Sequence, residues 1–354
     1  MNQWVAKLMT HLSESQVDAY IVTRPENMQY FSGFTGEGML VLHPQRQVIV
    51  TDFRYTEVAG KQAPDFEALR VTNYNHEQVA CQVLEQLGAT RVGIEGDSML
   101  VDQYQKLLRY GPGLELKPVG LLMDLIRAVK EESELALIRQ ACALTDDAFA
   151  YILGQIKPGM TELEVGLLME RYVRENGGGV AFPFIVASGE NGSLPHAEPS
   201  ERALRYGDMI TMDFGASWGR YCSDMTRTVS LGEPSAELRK IYEITLIANQ
   251  RAEEALRPGV SCGAVDAVAR GIIGQAGYGD KFGHGLGHGF GRLIHEQPRL
   301  ATGSAQMLEP NMVVTVEPGI YLPGVGGVRI EDSCLITSGG YERLTQSPRE
   351  LIVL

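Results

Sequence analysis

The chain is 354 residues long, and 31 Lys+Arg against 44 Asp+Glu leave a formal net charge of −13. That length is generous for one domain and comfortable for two, each able to bury a core of its own. With no basic run to track phosphates or anionic lipid, nucleic acid and membrane surfaces are excluded as partners.

The start, Met1 to Val22, lacks the charged, apolar and small-residue sections of a secretory signal, and no apolar run reaches the roughly 18 residues of a membrane span. Five scattered cysteines, Cys81, Cys142, Cys222, Cys262 and Cys334, form no CxxC pair, which argues against a disulfide framework or a cysteine-built zinc site. The expected setting is a reducing cytoplasm.

In chain order, a helical start leads to an apolar strand at Ala19 to Thr23, strands around Met39 to Leu42 and Val48 to Thr51, then helices and strands to Tyr110. This alternation predicts an α/β layer domain over residues 1–124. After Gly111-Pro112-Gly113 the pattern changes. From Lys130 onward Leu137, Ile138, Ala141, Leu144, Ala148 and Ile152 recur at helical spacing, so a long amphipathic helix opens a second domain, 125–354.

That second domain contains an internal repeat of about 100 residues. Lys157-Pro158-Gly159-Met160-Thr161 matches Arg257-Pro258-Gly259-Val260-Ser261, and each is followed by a helical run ending in glycine, Gly177 and Gly277. Phe182 aligns with Phe282, and His196-Ala197-Glu198-Pro199 falls one residue out of register with His295-Glu296-Gln297-Pro298. Two apolar strands, Met209 to Phe214 and Met312 to Glu317, complete the match. The fold expected is α+β: two helix-plus-hairpin units related by a pseudo-twofold, with a concave sheet surface where residues from both meet.

Each unit brings two carboxylates to its hairpin. A turn at Trp218-Gly219 would pair residue 217 with 220 and set Asp213 directly opposite Asp224, with Cβ atoms about 4.5–5.5 Å apart. In the second unit Glu317 and Glu331 are 14 residues apart, so an odd-length loop or a bulge within Leu322 to Gly327 is needed to put both on one face. Carboxylates so close cannot all stay ionised without a positive charge, and a metal ion supplies one.

The stretch Phe282-Gly283-His284-Gly285-Leu286-Gly287-His288 spaces two histidines as a zinc-binding helix would. The catalytic glutamate of such a helix is missing, and each glycine would cost it about 1 kcal/mol. An extended segment is expected instead, with 284, 286 and 288 facing one way and a turn or bulge before His295. Carboxylates with one or two imidazoles suit a pair of Mn²⁺, Co²⁺, Fe²⁺ or Zn²⁺ ions, and such a pair hydrolyses amides or esters. His11, His43 and His76 lie outside any motif and read as ordinary residues.

As a set, Met212-Asp213-Phe214-Gly215, Ser223-Asp224-Met225-Thr226-Arg227-Thr228, Gly283 to His288, His295-Glu296-Gln297-Pro298, Val316-Glu317-Pro318-Gly319 and Arg329-Ile330-Glu331-Asp332 resemble the motifs of the "pita-bread" metallopeptidases. That group contains methionine aminopeptidase, aminopeptidase P, prolidase and the non-peptidase creatinase. The amino-terminal α/β domain, with Thr51-Asp52-Phe53-Arg54-Tyr55 at a strand end, is similar to that of the aminopeptidase P, prolidase and creatinase branch. The resemblance implies a dinuclear site of Asp213, Asp224, His288, Glu317 and Glu331, with Mn²⁺ foremost. It implies Glu317 as acid/base, His196, His295 and His284 as contacts to substrate or to the tetrahedral species, and Arg329 and Tyr321 as supports behind them.

The activity so implied is cleavage of the bond preceding proline in small peptides, by a homodimer. A broader aminopeptidase removing Met or Ala, and a creatinase-like hydrolase or metal-free scaffold, are the alternatives. The ligands do not discriminate dipeptides from longer substrates.

Overall fold

The computed structural model describes residues 1–73 and 75–354, in two compact units, Met1–Ile126 and Arg127–Leu354. The expected boundary at 124/125 falls inside a helix, Leu122–Ala128, that the sequence pattern did not reveal. Among the described residues no helix is long and apolar enough to cross a membrane.

The first unit is built on a six-stranded mixed sheet in the order Glu67–Arg70, Arg46–Thr51, Met39–His43, Ala19–Val22, Arg91–Ile94, Glu115–Pro118. Ala19–Val22 is buried along its whole length because both faces of the sheet are covered. Tyr20, Val22, Leu40, Leu42 and Ile49 pack into one apolar cluster, while Ala19, Ile21, Met39, Val41, Val48 and Val50 pack into another. The strand period of two sorts them onto the two sides.

The second unit repeats one plan twice. Long helices, Glu132–Leu153 and Ala236–Glu254, each lead to a second helix, Glu162–Glu175 and Cys262–Gln275. Thr161 and Ser261 cap these second helices by accepting from Glu164 N and Ala264 N. The turns before them match bond for bond: Gly159 N donates to Leu204 O and Gly259 N to Leu308 O, both 2.9 Å. Each copy also fills an apolar cluster, one around Phe149, Met169 and Phe214, the other around Ile241, Ala269 and Val316.

Strands carry the repeat into the sheets. In the first copy the order is Met225–Ser230, Met209–Phe214, Ile185–Ser188; in the second, Asp332–Thr337, Val313–Val316, Gly287–Gly289 occupy the corresponding places and Glu296–Leu300 and Gly340–Arg343 flank them. The copies are tied where the hairpins meet. Glu331 N donates to Thr226 O at 3.1 Å, Thr228 Oγ1 to Arg329 O at 2.9 Å and Ser333 Oγ to Asp224 O at 2.7 Å.

Candidate metal centre

The first hairpin turns one position later than the sequence suggested. Trp218 pairs with Tyr221 and Ser217 with Cys222, so Gly219 and Arg220 form the tip. Both adopt the left-handed conformation, φ 55° and 68°, as a two-residue hairpin turn of primed type demands. A tip at Trp218-Gly219 would force a bulky tryptophan into that conformation; Trp218 instead packs against the first copy's core. The register correction moves the carboxylates. Asp213 pairs with Thr226, and the same register places Asp224 opposite Gly215, diagonal to Asp213. A shift of two preserves the face, so both still point to one side.

In the second hairpin Val316 pairs with Asp332 and Gly319 with Arg329, which sets Glu317 opposite Glu331. Leu322 pairs with Gly326, leaving a loop of three, Pro323-Gly324-Val325, the odd length that this parity requires.

His288 enters from the strand Gly287–Gly289. The neighbouring strand approaches so closely that a Cβ on Gly287 would lie 2.1 Å from Thr315 O, which leaves glycine as the residue that fits. The expectation that 284, 286 and 288 share a face is corrected. Leu286 is fully buried in the second copy's core, whereas His284 and His288 line the cavity. The strand begins only at Gly287; before it the backbone bonds to a side-chain pair on the helix Cys262–Gln275. Asp266 Oδ1 accepts from Leu286 N at 3.1 Å, and Arg270 donates to the carbonyls of Phe282 and His284.

These elements bring Asp213, Asp224, His288, Glu317 and Glu331 around one cavity of about 370 Å³, with His196, His284, His295 and Arg329 on its walls. Ligand atoms of Asp224, His288 and Glu331 lie within 4.8 Å of one another. His288 Nδ1 faces Gly289 O at 3.1 Å, which assigns the proton to Nδ1 and leaves a lone pair on Nε2. That lone pair faces Asp224 Oδ2 at 3.5 Å and Glu317 Oε1 at 3.4 Å. Burial holds the imidazole neutral, down to about 3.

Burial, then the charges of Glu331, Asp213 and Glu317, pushes the Asp224 carboxyl well above its ordinary range. Burial followed by Glu317 and Asp213 does the same to Glu331, and burial lifts Glu317 to about 8. Asp213 Oδ1 and Glu331 Oε1 are buried and have no hydrogen-bond partner among the described residues. Bare oxygens and a bare nitrogen lone pair converging on one point are stabilised by a cation placed among them. The donor set fits divalent metal.

Behind the candidate ligands, Arg329 donates to Asp213 Oδ2 at 2.7 Å, to Tyr321 Oη at 2.9 Å and to Pro195 O at 3.2 Å. Tyr321 meets His284 Nε2 at 2.9 Å, and His284 Nδ1 meets Gly285 O at 2.8 Å. Both ring nitrogens of His284 are therefore engaged within the protein, whereas His196 and His295 are exposed residues on the cavity wall whose rings take no hydrogen bond among the described residues. His295 stands edge-on to His288 with ring centroids 4.4 Å apart.

Sequence reasoning missed Thr226 and Thr315. Thr226 Oγ1 donates to Glu331 Oε2 at 2.6 Å, and Thr315 Oγ1 donates to Glu317 Oε1 at 3.1 Å while accepting from His288 N at 3.0 Å. The signal was available: each lies two residues from a candidate ligand, Asp224 or Glu317, hence on the same face of an extended segment. Asn249 Nδ2, which reaches Val316 O at 2.9 Å from a helix far away in sequence, carried no such signal.

Comparison with known proteins agrees over both units. The profile of metallopeptidase family M24 matches residues 136–338, and that of the creatinase/prolidase N-terminal domain matches residues 5–129. An Xaa-Pro dipeptidase of Pyrococcus furiosus is 35% identical, covering 99% of this chain and 100% of its own. The structure of an Xaa-Pro dipeptidase from Bacillus anthracis superposes with TM-score 0.96 at 39% identity, over 99% of each chain. That of an X-Pro aminopeptidase from Thermotoga maritima gives 0.89 at 36% identity, over 96% of this chain and 100% of its own. With its duplicated hairpins, its metal-fitting cluster and these matches, the chain belongs to metallopeptidase family M24 and is a metal-dependent peptidase with a creatinase-type N-terminal domain.

Proposed function

We propose that this peptidase is an exopeptidase that hydrolyses the Xaa-Pro bond at the amino terminus of small peptides, using two divalent ions held by Asp213, Asp224, His288, Glu317 and Glu331. The observation that carries the reading is the His288 Nε2 lone pair facing carboxylate oxygens from both hairpins. Proline is suggested by the Xaa-Pro relatives and by the apolar wall of Phe182, Ile185 and Ile294, which offers a pyrrolidine ring a dry surface. The catalytic portion is residues 125–354, with 1–124 as the preceding domain.

When bound, two divalent ions supply an activated water and polarise the scissile carbonyl. Glu317 moves the proton, taking it from the attacking water and returning it to the departing proline nitrogen. His196 and His295 donate to oxygens of the substrate as charge develops on them. Arg329 fixes the Asp213 carboxylate, and Tyr321 holds Arg329 and His284 in place. Manganese as resident ion, with cobalt, iron and zinc as substitutes, a homodimer and a cytoplasmic location complete the proposal. Five buried, unpaired cysteines support a reducing compartment.

The test is to strip the protein with a chelator, reload it with Mn²⁺ and assay alanyl-proline against alanyl-alanine. Reloading restores activity, with proline preferred by about tenfold or more, while Asp224→Ala neither holds metal nor turns over. Full activity in the stripped protein, or no preference for proline, overturns the reading.

A further inference from the structure

The second hairpin is interrupted where its two proposed ligands stand. The strands Val313–Val316 and Asp332–Thr337 stop just short of Glu317 and Glu331, and the pairing resumes with Gly319 opposite Arg329. Pro318 and Ile330 therefore face each other across the gap. Ile330 N reaches Pro318 O at 3.4 Å, so this is a pair whose members exchange two bonds in a regular ladder. The return bond cannot form, because proline has no N–H to give to Ile330 O.

Asn249 supplies the missing donor. From the helix Ala236–Glu254 its fully buried side chain sends Nδ2 to Ile330 O at 3.4 Å and to Val316 O at 2.9 Å. Those are the carbonyls immediately before Glu331 and Glu317. The other end of the amide is held as well: Oδ1 accepts from Arg349 Nη1 at 3.2 Å, and the same Nη1 donates to Glu253 Oε2 at 2.7 Å. Because arginine can only donate, this contact settles which way the amide points. The first copy is built differently. Phe214 stands where Pro318 does and pairs with Met225, and the repeat of about 100 residues puts Phe149 at the place of Asn249, stacked on Phe214 with ring centroids 6.4 Å apart. Proline in the strand goes with asparagine on the helix, phenylalanine with phenylalanine.

We propose that Asn249 is a positioning residue: by tying together the carbonyls that precede Glu317 and Glu331, across the gap that Pro318 leaves, it fixes the spacing of those two carboxylates and so the affinity of the site for divalent metal. The inference rests on the ligand set proposed above and names what sets its spacing.

The experiment titrates the stripped protein with Mn²⁺ and records the melting temperature of the metal-free form. Asn249→Leu, close in shape but without the amide, lowers Mn²⁺ affinity by about tenfold or more. Pro318→Ala returns an N–H to the strand, so the double variant Asn249→Leu with Pro318→Ala recovers most of that loss. A packing fault at residue 249 would not be repaired from residue 318. Unchanged affinity in Asn249→Leu, even with a lower melting temperature, or a double variant that binds no better than the single one, overturns the role of Asn249. If Asn249→Leu alone does not fold, the double variant decides: folded with near wild-type affinity it supports the role, and unfolded or weakly binding it overturns it. A wild type that takes up no Mn²⁺ overturns the ligand set and this inference with it.

Discussion

Glu162 is fully buried at the start of the helix Glu162–Glu175, and it is the strongest structural lever on the loop that carries His196. Its Oε1 accepts from Ser188 N at 2.6 Å and Ser188 Oγ at 2.7 Å; its Oε2 accepts from Ser200 N at 3.1 Å and Ser200 Oγ at 2.5 Å. Asn191 Nδ2 bridges both oxygens at 3.2 and 3.1 Å. One carboxylate thus clamps residues 188, 191 and 200, on either side of His196. Glu162→Gln keeps the shape but turns one acceptor into a donor. Serine hydroxyls and the Asn191 amide can rotate away; a backbone N–H cannot. Either Ser188 N or Ser200 N is left buried and unsatisfied, at about 1–3 kcal/mol, and the remaining bonds lose their charge assistance.

Those losses fall on the loop rather than on the proposed metal ligands, which stand on other segments. Glu162→Gln is therefore expected to lower kcat on an Xaa-Pro dipeptide by about tenfold or more while metal stoichiometry stays at the wild-type value. Hydrogen exchange at the amides of Ser188 and Ser200 should accelerate in the variant. Wild-type kcat together with accelerated exchange would refute the link between the clamp and His196. Wild-type exchange would refute the clamp itself.

Thr226→Val removes the hydroxyl that bridges Glu331 Oε2 and Arg329 Nε; metal affinity, followed by titration of the stripped protein, should fall about 10- to 100-fold with the fold intact by circular dichroism. Glu253 and Asp332 are buried together, and Glu253 Oε1 and Asp332 Oδ2 have no hydrogen-bond partner outside the pair among the described residues, Arg349 Nη1 standing 3.9 Å from Asp332 Oδ2. Burial, then the Asp332 charge, raises Glu253 to about 8 although Arg349 lies 2.7 Å from its other oxygen. A folded pKa above the unfolded one means that stability is full below about 4.5 and lost as pH rises towards 8. Urea unfolding at pH 6 and pH 8.5 should differ by on the order of 2 kcal/mol, and Glu253→Gln should shrink that difference.

How much of this was readable in advance depended on whether the information was local. Helix starts at Thr161 and Ser261 follow from short capping signals, and the apolar strands follow from their own residues. The four carboxylates of the proposed site stood out because the repeat showed carboxylates at matching strand ends, whereas His288 was singled out among the clustered histidines only by the family resemblance. The register of the first hairpin was not. Three adjacent residues, Trp218, Gly219 and Arg220, could form its tip, and the choice rests on Arg220 tolerating a left-handed φ while Trp218 finds a place in the core. The facing of Leu286 was hidden for another reason: it is set by Asp266 and Arg270, on a helix that sequence pattern alone does not place next to the glycine-rich segment.

That same bracing shows what the duplication has kept and what it has exchanged. Each copy steadies a histidine-bearing segment with a buried carboxylate on its second helix, Glu162 in one and Asp266 in the other. The two are not equivalent positions: Glu162 aligns with Cys262, and Asp266 aligns with Gly166. Glu162, at the first turn, reaches both ends of a loop and holds it closed. Asp266, one turn further along, reaches an extended segment and is shared with Arg270 at 2.7 Å. A swap of carboxylate position within the second copy, Asp266→Gly with Cys262→Glu, would thus not rebuild the support of His284. Leu286 N would lose its acceptor and Arg270 its counter-charge, and the strand that carries His288 would lose its fixed entry. The sheet geometry that gathers the proposed ligands is common to both copies, and the helix carboxylates that brace the segments bearing His196 and His284 are particular to each.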